Sequence, residues 1–115
     1  ETYKNLIVWQ KSIDLVQTIY ELTRGFPSEE LFGLTIQMRK SAVSIPSNIA
    51  EGSKRGSRKD FRHFLLNAFG SGAELETQIV IAKRLKFSKD HNFDIAESLL
   101  GEIMRMLNTL SKKLL

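Results

Sequence analysis

The chain has 115 residues, 42% hydrophobic and 26% charged, with no cysteine, two histidines and a formal net charge of +4. These bounds describe one ordinary globular domain over residues 1–115 and exclude disulfides, thiolate nucleophiles and thiolate metal sites. No apolar run approaches the roughly 20 residues of a membrane span and the N-terminus lacks a signal-like apolar stretch, so a cytoplasmic protein without membrane contact is expected.

Residues 5–24 read as the first helix. Leu6, Trp9, Ile13, Val16, Tyr20 and Thr23 form one stripe of helical period, and Leu15, Ile19, Leu22 and Phe26 form a second. Two stripes exceed what a two-layer contact needs. The helix therefore either lies deep in the core or offers a stripe to another subunit, and Leu15, Ile19 and Leu22 are assigned to that subunit contact. Gly25 and Pro27 end the helix.

Ser28 reads as the cap of the second helix, with Glu29 and Glu30 where the helix dipole favours negative charge. Leu31, Leu34, Met38, Ala42, Ile45 and Ile49 give its core stripe, and it runs to about Lys54. Pro46 falls inside it, removing one hydrogen bond and crowding the carbonyl four residues back at a cost of ~3 kcal/mol. The expectation is a kink, or two helical pieces re-capped by Ser44 or Ser47. Gly52 and Gly56 close the segment.

Ser57-Arg-Lys-Asp60 resembles a capping box that opens the third helix. Phe61, Leu65, Ala68, Gly72, Leu75, Ile79 and Ala82 alternate steps of four and three to about Lys86. Gly70 and Gly72 inside it cost ~1 kcal/mol each relative to alanine, which points to close approach of another backbone. Counting outward from a turn near Gly56 sets position 72 against about 40, and it sets Glu74 near Arg39 as an interhelical pair.

The fourth helix covers about 93–113. Ala96, Leu100, Ile103, Leu107, Leu110 and Leu114 form its core stripe, and Leu99 with Met106 forms a flanking stripe assigned to a subunit contact. Four amphipathic helices with short connections give an all-α, up-down-up-down antiparallel four-helix bundle with a proline kink in the second helix.

The positive surplus is concentrated in the middle of the chain. Residues 1–27 and 88–115 are each balanced in Lys/Arg against Asp/Glu, whereas residues 39–62 hold seven Lys/Arg against Glu51 and Asp60 alone. Lys54, Arg55, Arg58, Lys59 and Arg62 straddle one turn, where they can make phosphate contacts that give affinity without sequence information. The structural alternative is a solvated helix end. Phe61, Phe64 and Phe69 hold core-compatible positions and are read as packing residues rather than base-stacking ones.

No catalytic constellation is legible. Paired Glu-x-x-His motifs are absent, and Asp60 with His63 lacks the further ligands a metal needs, so neither metal nor cofactor is expected. Arg58 and His63, with four residues between them, are similar to the Arg-x4–6-His signature of HEPN ribonucleases. Lys59 departs from the small polar or acidic residue usual there, and the chain is read as a non-enzyme.

The stretch QMRKSAVSIPSNIAEGSKR, followed by FLLNAFGSGAELETQIVIAKRL, resembles the bacterial four-helix-bundle protein family, also called the 23S rRNA intervening-sequence protein family. NLIVWQKS at 5–12 and FPSEELFGL at 26–34 extend the resemblance over nearly the whole chain. It implies a homopentameric ring, with rRNA or other nucleic acid, or a reverse transcriptase, among the partners. Ser44, Pro46, Asn48, Glu51 and Gly52 match its motif and are read as structural. Two readings follow: a nucleic-acid or ribonucleoprotein-binding module, and an oligomeric scaffold for protein partners only.

Overall fold

The apolar periodicities become four helices in a computed structural model that describes residues 2–115. These are α1 (Ile7–Arg24), α2 (Ile36–Lys54), α3 (Arg58–Arg84) and α4 (Asp94–Lys113). Short 3-10 turns precede α1 and α4, and no strand occurs among the described residues. Ser44 on α2 meets Ser71 on α3, while Gly52 meets Phe61 and Phe64, so these two helices run in opposite senses. Lys83 meets Glu97 near one end of the α3–α4 seam and Arg58 meets Lys113 near the other. The four helices thus enclose one core, with Met38, Ile45, Leu65, Leu75, Ile103 and Leu107 fully or nearly fully buried at its centre.

The second stripe of α1 belongs to the core and not to a subunit contact. Leu15, Ile19 and Leu22 are buried in the core and form no spare subunit face. The buried seam of the helix is Val8, Ser12, Leu15, Ile19 and Leu22, an unbroken alternation of four and three. Ser12 disguises it. Its hydroxyl donates to the Trp9 carbonyl at 2.7 Å, so a polar residue can be buried with its hydrogen bond made. Each fully buried Leu or Ile contributes about 1.5–3 kcal/mol, which makes this seam the stronger claimant on the core. Ile13 and Tyr20 of the other stripe remain partly exposed. On α4, Leu99 and Met106 are partly buried against the core.

The second helix begins later than its sequence suggests. Ser28–Glu30 forms a 3-10 turn and Leu31–Thr35 a π turn, and α2 proper starts at Ile36. Gly33 interrupts the helical path with φ −110° and ψ −115°. The Glu30 carboxylate, rather than the Ser28 hydroxyl, accepts the Leu34 N–H, at 3.4 Å. Around Pro46 the opposite holds. α2 is one uninterrupted helix from Ile36 to Lys54, so the expected division into two re-capped pieces does not occur. Side chains on either side bond back to the helix: Ser47 Oγ donates to the Val43 carbonyl at 2.8 Å and Asn48 Nδ2 to the Ser44 carbonyl at 2.8 Å.

That same Asn48 amide also donates to Ser44 Oγ at 3.0 Å, and Ser44 Oγ shares a hydrogen bond with Ser71 Oγ at 2.8 Å. The motif residues Ser44 and Asn48 therefore tie α2 to α3. Gly52 lets the two helices approach. A Cβ built there would lie 2.6 Å from Phe64 Cβ and 3.3 Å from the Phe61 carbonyl oxygen. Glu51 pairs with Arg55 one turn on, at 2.7 Å.

The register expected between α2 and α3 is displaced. Ser71, not a residue near 68, lies opposite Ser44. Gly72 accommodates Met104 and Leu100 of α4 rather than the backbone of α2, and Gly70 faces open space. Arg39 does not pair with Glu74. Its Nε donates to Thr23 Oγ1 at 3.0 Å, and its guanidinium stacks 4.5 Å over the Tyr20 ring, so it joins α2 to α1.

Two pairs of substitutions test this packing. Gly52→Ala should destabilise the fold by about 1–3 kcal/mol through overpacking, whereas Gly70→Ala should stabilise it by up to ~1 kcal/mol through helix propensity. Chemical denaturation reads both, and equal effects would contradict the α2–α3 approach described. Asn48→Leu should lower the melting temperature by several degrees, since Ser44 loses a donor in a part-buried network whose orphaned groups cost ~1–3 kcal/mol. Ser47→Ala, on the exposed side of the same turn, should change it far less.

Candidate nucleic-acid interface

The turn between α2 and α3 takes three residues. Arg55 caps α2, Gly56 supplies the left-handed backbone at φ +87° that reverses the chain, and Ser57 caps α3 by accepting the Asp60 N–H at 3.1 Å. The expected capping role of Ser57 is thus met, and the turn brings Lys54, Arg55, Arg58, Lys59 and Arg62 to one end of the bundle.

These five cations do not behave alike. Arg58 Nη2 donates to the Lys113 carbonyl at 2.8 Å, and Arg62 Nε donates to the Ser111 carbonyl at 3.2 Å. Both acceptors belong to the last turn of α4, where the helix dipole places partial negative charge; the Ser111 carbonyl also accepts the Leu114 N–H at 3.2 Å. Arg58 and Arg62 therefore latch the start of α3 to the end of α4. Arg55 lies between Glu51 and the Phe64 ring, its guanidinium 4.9 Å from the ring centre. Lys54 and Lys59 are exposed and have no acidic partner among the described residues.

The latch brings in two cations that the sequence reading left out, Lys112 and Lys113. Residues 88–115 are balanced in charge, which conceals their distribution. Asp90, Asp94 and Glu97, with Lys89, occupy the start of that segment and Lys112 and Lys113 its end, so its net negative and net positive stretches go to opposite ends of the bundle. Reading charge by helix end, rather than by segment, would have found them. The basic end thus comprises Lys54, Arg55, Lys59, Lys112 and Lys113 around the two latching arginines, with Glu51 and Asp60 the acidic side chains nearest in the turn.

The aromatic residues here serve packing. Phe61 and Phe69 are partly buried against the core, and Phe64 fills the contact with Gly52 while meeting His63 edge-on at 5.4 Å. Arg58 and His63 have separate partners, the α4 terminus and the Phe64 ring. Among the described residues no three His, Asp or Glu side chains gather as metal ligands, and no helix is long and apolar enough to cross a membrane.

No curated protein sequence matches the chain. Residues 4–109 match the family model described as 23S rRNA-intervening sequence protein. That span covers all four helices except the last turn of α4, and it includes the Ser44–Gly52 motif together with most of the basic end. The chain therefore belongs to the 23S rRNA-intervening sequence protein family.

Proposed function

We propose that the protein is a non-enzymatic nucleic-acid-binding bundle that works as a homo-oligomer and grips the phosphate backbone of rRNA, or of another structured nucleic acid, without reading bases. The observation that carries this reading is the set of exposed lysines, Lys54, Lys59, Lys112 and Lys113, held at one end of a rigid bundle. The charged ammonium groups of lysine act as point charges on phosphate, which suits backbone contact. Phe61, Phe64 and Phe69 are engaged in packing, so these three rings give base stacking no support.

Exposed apolar side chains on α1 and α2 support assembly. Ile13, Tyr20, Ile36 and Val43 are each more than a third exposed, and a contiguous apolar surface marks an interaction face. A ring would repeat the basic end once per subunit, so weak phosphate contacts would reinforce one another. The number five is an expectation from the family resemblance. The same apolar surface also supports the scaffold reading, in which a protein such as a reverse transcriptase is the partner.

Charge reversal separates the two readings. Replacing Lys54, Lys59, Lys112 and Lys113 by glutamate should abolish retention of structured RNA and leave the melting curve and the oligomer unchanged. For the unaltered protein, four phosphate contacts give a log–log salt slope of about −3, or a loss of affinity on the order of 100-fold between roughly 50 and 200 mM salt. If the unaltered protein retains no RNA or DNA at low ionic strength, the scaffold reading takes its place. Arg62→Ala should act differently from the lysine changes. It removes a bond to the α4 terminus, so it should cost about 0.5–1.5 kcal/mol of stability while changing the salt slope by less than one contact, roughly 0.7.

A further inference from the structure

Phe32 is 91% exposed, more than any other large hydrophobic side chain among the described residues. It stands in the π turn ahead of α2, next to the exposed Leu31, and the break at Gly33 separates it from the regular helix. Glu29 and Glu30 immediately precede this apolar pair. The turn is therefore an apolar knob with an acidic flank. Nothing in the packing of the bundle requires a phenylalanine there.

A groove of about 330 Å³ lies on the α1–α2 face, lined by Tyr20, Ile36, Arg39, Lys40, Val43 and Ser44. Its apolar wall is Tyr20, Ile36 and Val43, each more than a third exposed. Its basic rim is Arg39 and Lys40. Arg39 is held in place by its bond to Thr23 and by the Tyr20 ring, which leaves its terminal guanidinium nitrogens without an ion pair among the described residues.

One chain thus carries an acid-flanked knob and a base-flanked groove. We propose that the groove's occupant is a second copy of this chain, with Phe32 of one copy seated among Tyr20, Ile36 and Val43 of the next. Glu29 then faces the Arg39–Lys40 rim, while Glu30 keeps its bond to Leu34 within its own chain. This assignment rests on the oligomeric part of the proposed function and deepens it by naming the contact.

Three features favour a second copy over a different partner. Shape and charge are complementary within one sequence, so the contact needs no other chain. Phe32 precedes the first groove residue of α2, Ile36, by only four residues, which puts the knob just beyond one end of the groove and not at the far end of the 43 Å bundle. Such a head-to-tail contact makes a ring where its rotation closes. Finally, a phenylalanine buries on the order of 150–250 Å², and Ile13, two turns before Tyr20 on α1, widens the apolar surface around the groove.

Sedimentation velocity with four samples tests the contact. The unaltered protein should assemble. Phe32→Ser and Val43→Arg should each weaken self-association at least 100-fold, sedimenting as 13.1 kDa monomers with unaltered melting curves, because both positions are exposed. Mixing the two variants should restore pairing, since one supplies an intact knob and the other an intact groove. If Val43→Arg melts early, Lys40→Glu on the exposed rim provides the same test through charge. A Phe32→Ser protein that assembles like the unaltered one overturns the contact and leaves the oligomeric reading standing. Monomeric unaltered protein overturns both, and variants that fail to pair on mixing overturn the groove as the seat of Phe32.

Discussion

The close approach of α2 and α3 at Gly52 governs the rest of the molecule. With only a hydrogen on that residue, the backbone of α2 lies against Phe61 and Phe64, and the serines about two turns farther along can touch. A bulkier residue would force the helices apart at the very end where a three-residue turn joins them. The turn would then have to lengthen or Ser57 would lose its capping position. The motif around Gly52 is thus a packing device, in which Ser44 and Asn48 face inward and hold two helices together.

A second consequence of that geometry is electrostatic. The start of α3 is brought beside the end of α4, where terminal carbonyls attract cations, and two arginines donate to them. Planar guanidinium groups suit this work, since their donors have fixed directions. The lysines nearby have compact, mobile charges and no such acceptors. Mutual repulsion among so many cations opposes their clustering, and the α4 carbonyls together with Glu51 offset part of it. The division between arginines that bind the protein and lysines that face solvent follows from side-chain chemistry as much as from position.

Much of the fold was legible because the helical periodicities are long and clean, above all in α3, where every stripe residue from Leu65 to Ala82 that was assigned to the core is buried. What misled was local. Ser12 broke the appearance of the true seam in α1, although a serine that bonds back to its own helix can be buried at little cost. Gly33 looked like an ordinary residue of a helical turn and is the real interruption, while Pro46, the conspicuous breaker, sits within an unbroken α2. The candidate site was half legible. Charge clustering along the chain located Lys54 to Arg62, but the partition into latching and exposed cations depends on where α4 ends, which only the three-dimensional arrangement supplies.

The short turn at Gly56 also bears on how the chain acquires its shape. The Ser44–Ser71 contact closes a loop of 27 residues, whereas the Lys11–Glu102 pair joins segments separated by most of the chain. Loop-closure entropy rises by about 0.6 kcal/mol for each doubling of length, so the second closure costs roughly 1 kcal/mol more before any contact forms. The α1–α4 seam is accordingly the costliest helix contact to close, while the α2–α3 hairpin, joined by the shortest turn, is among the cheapest.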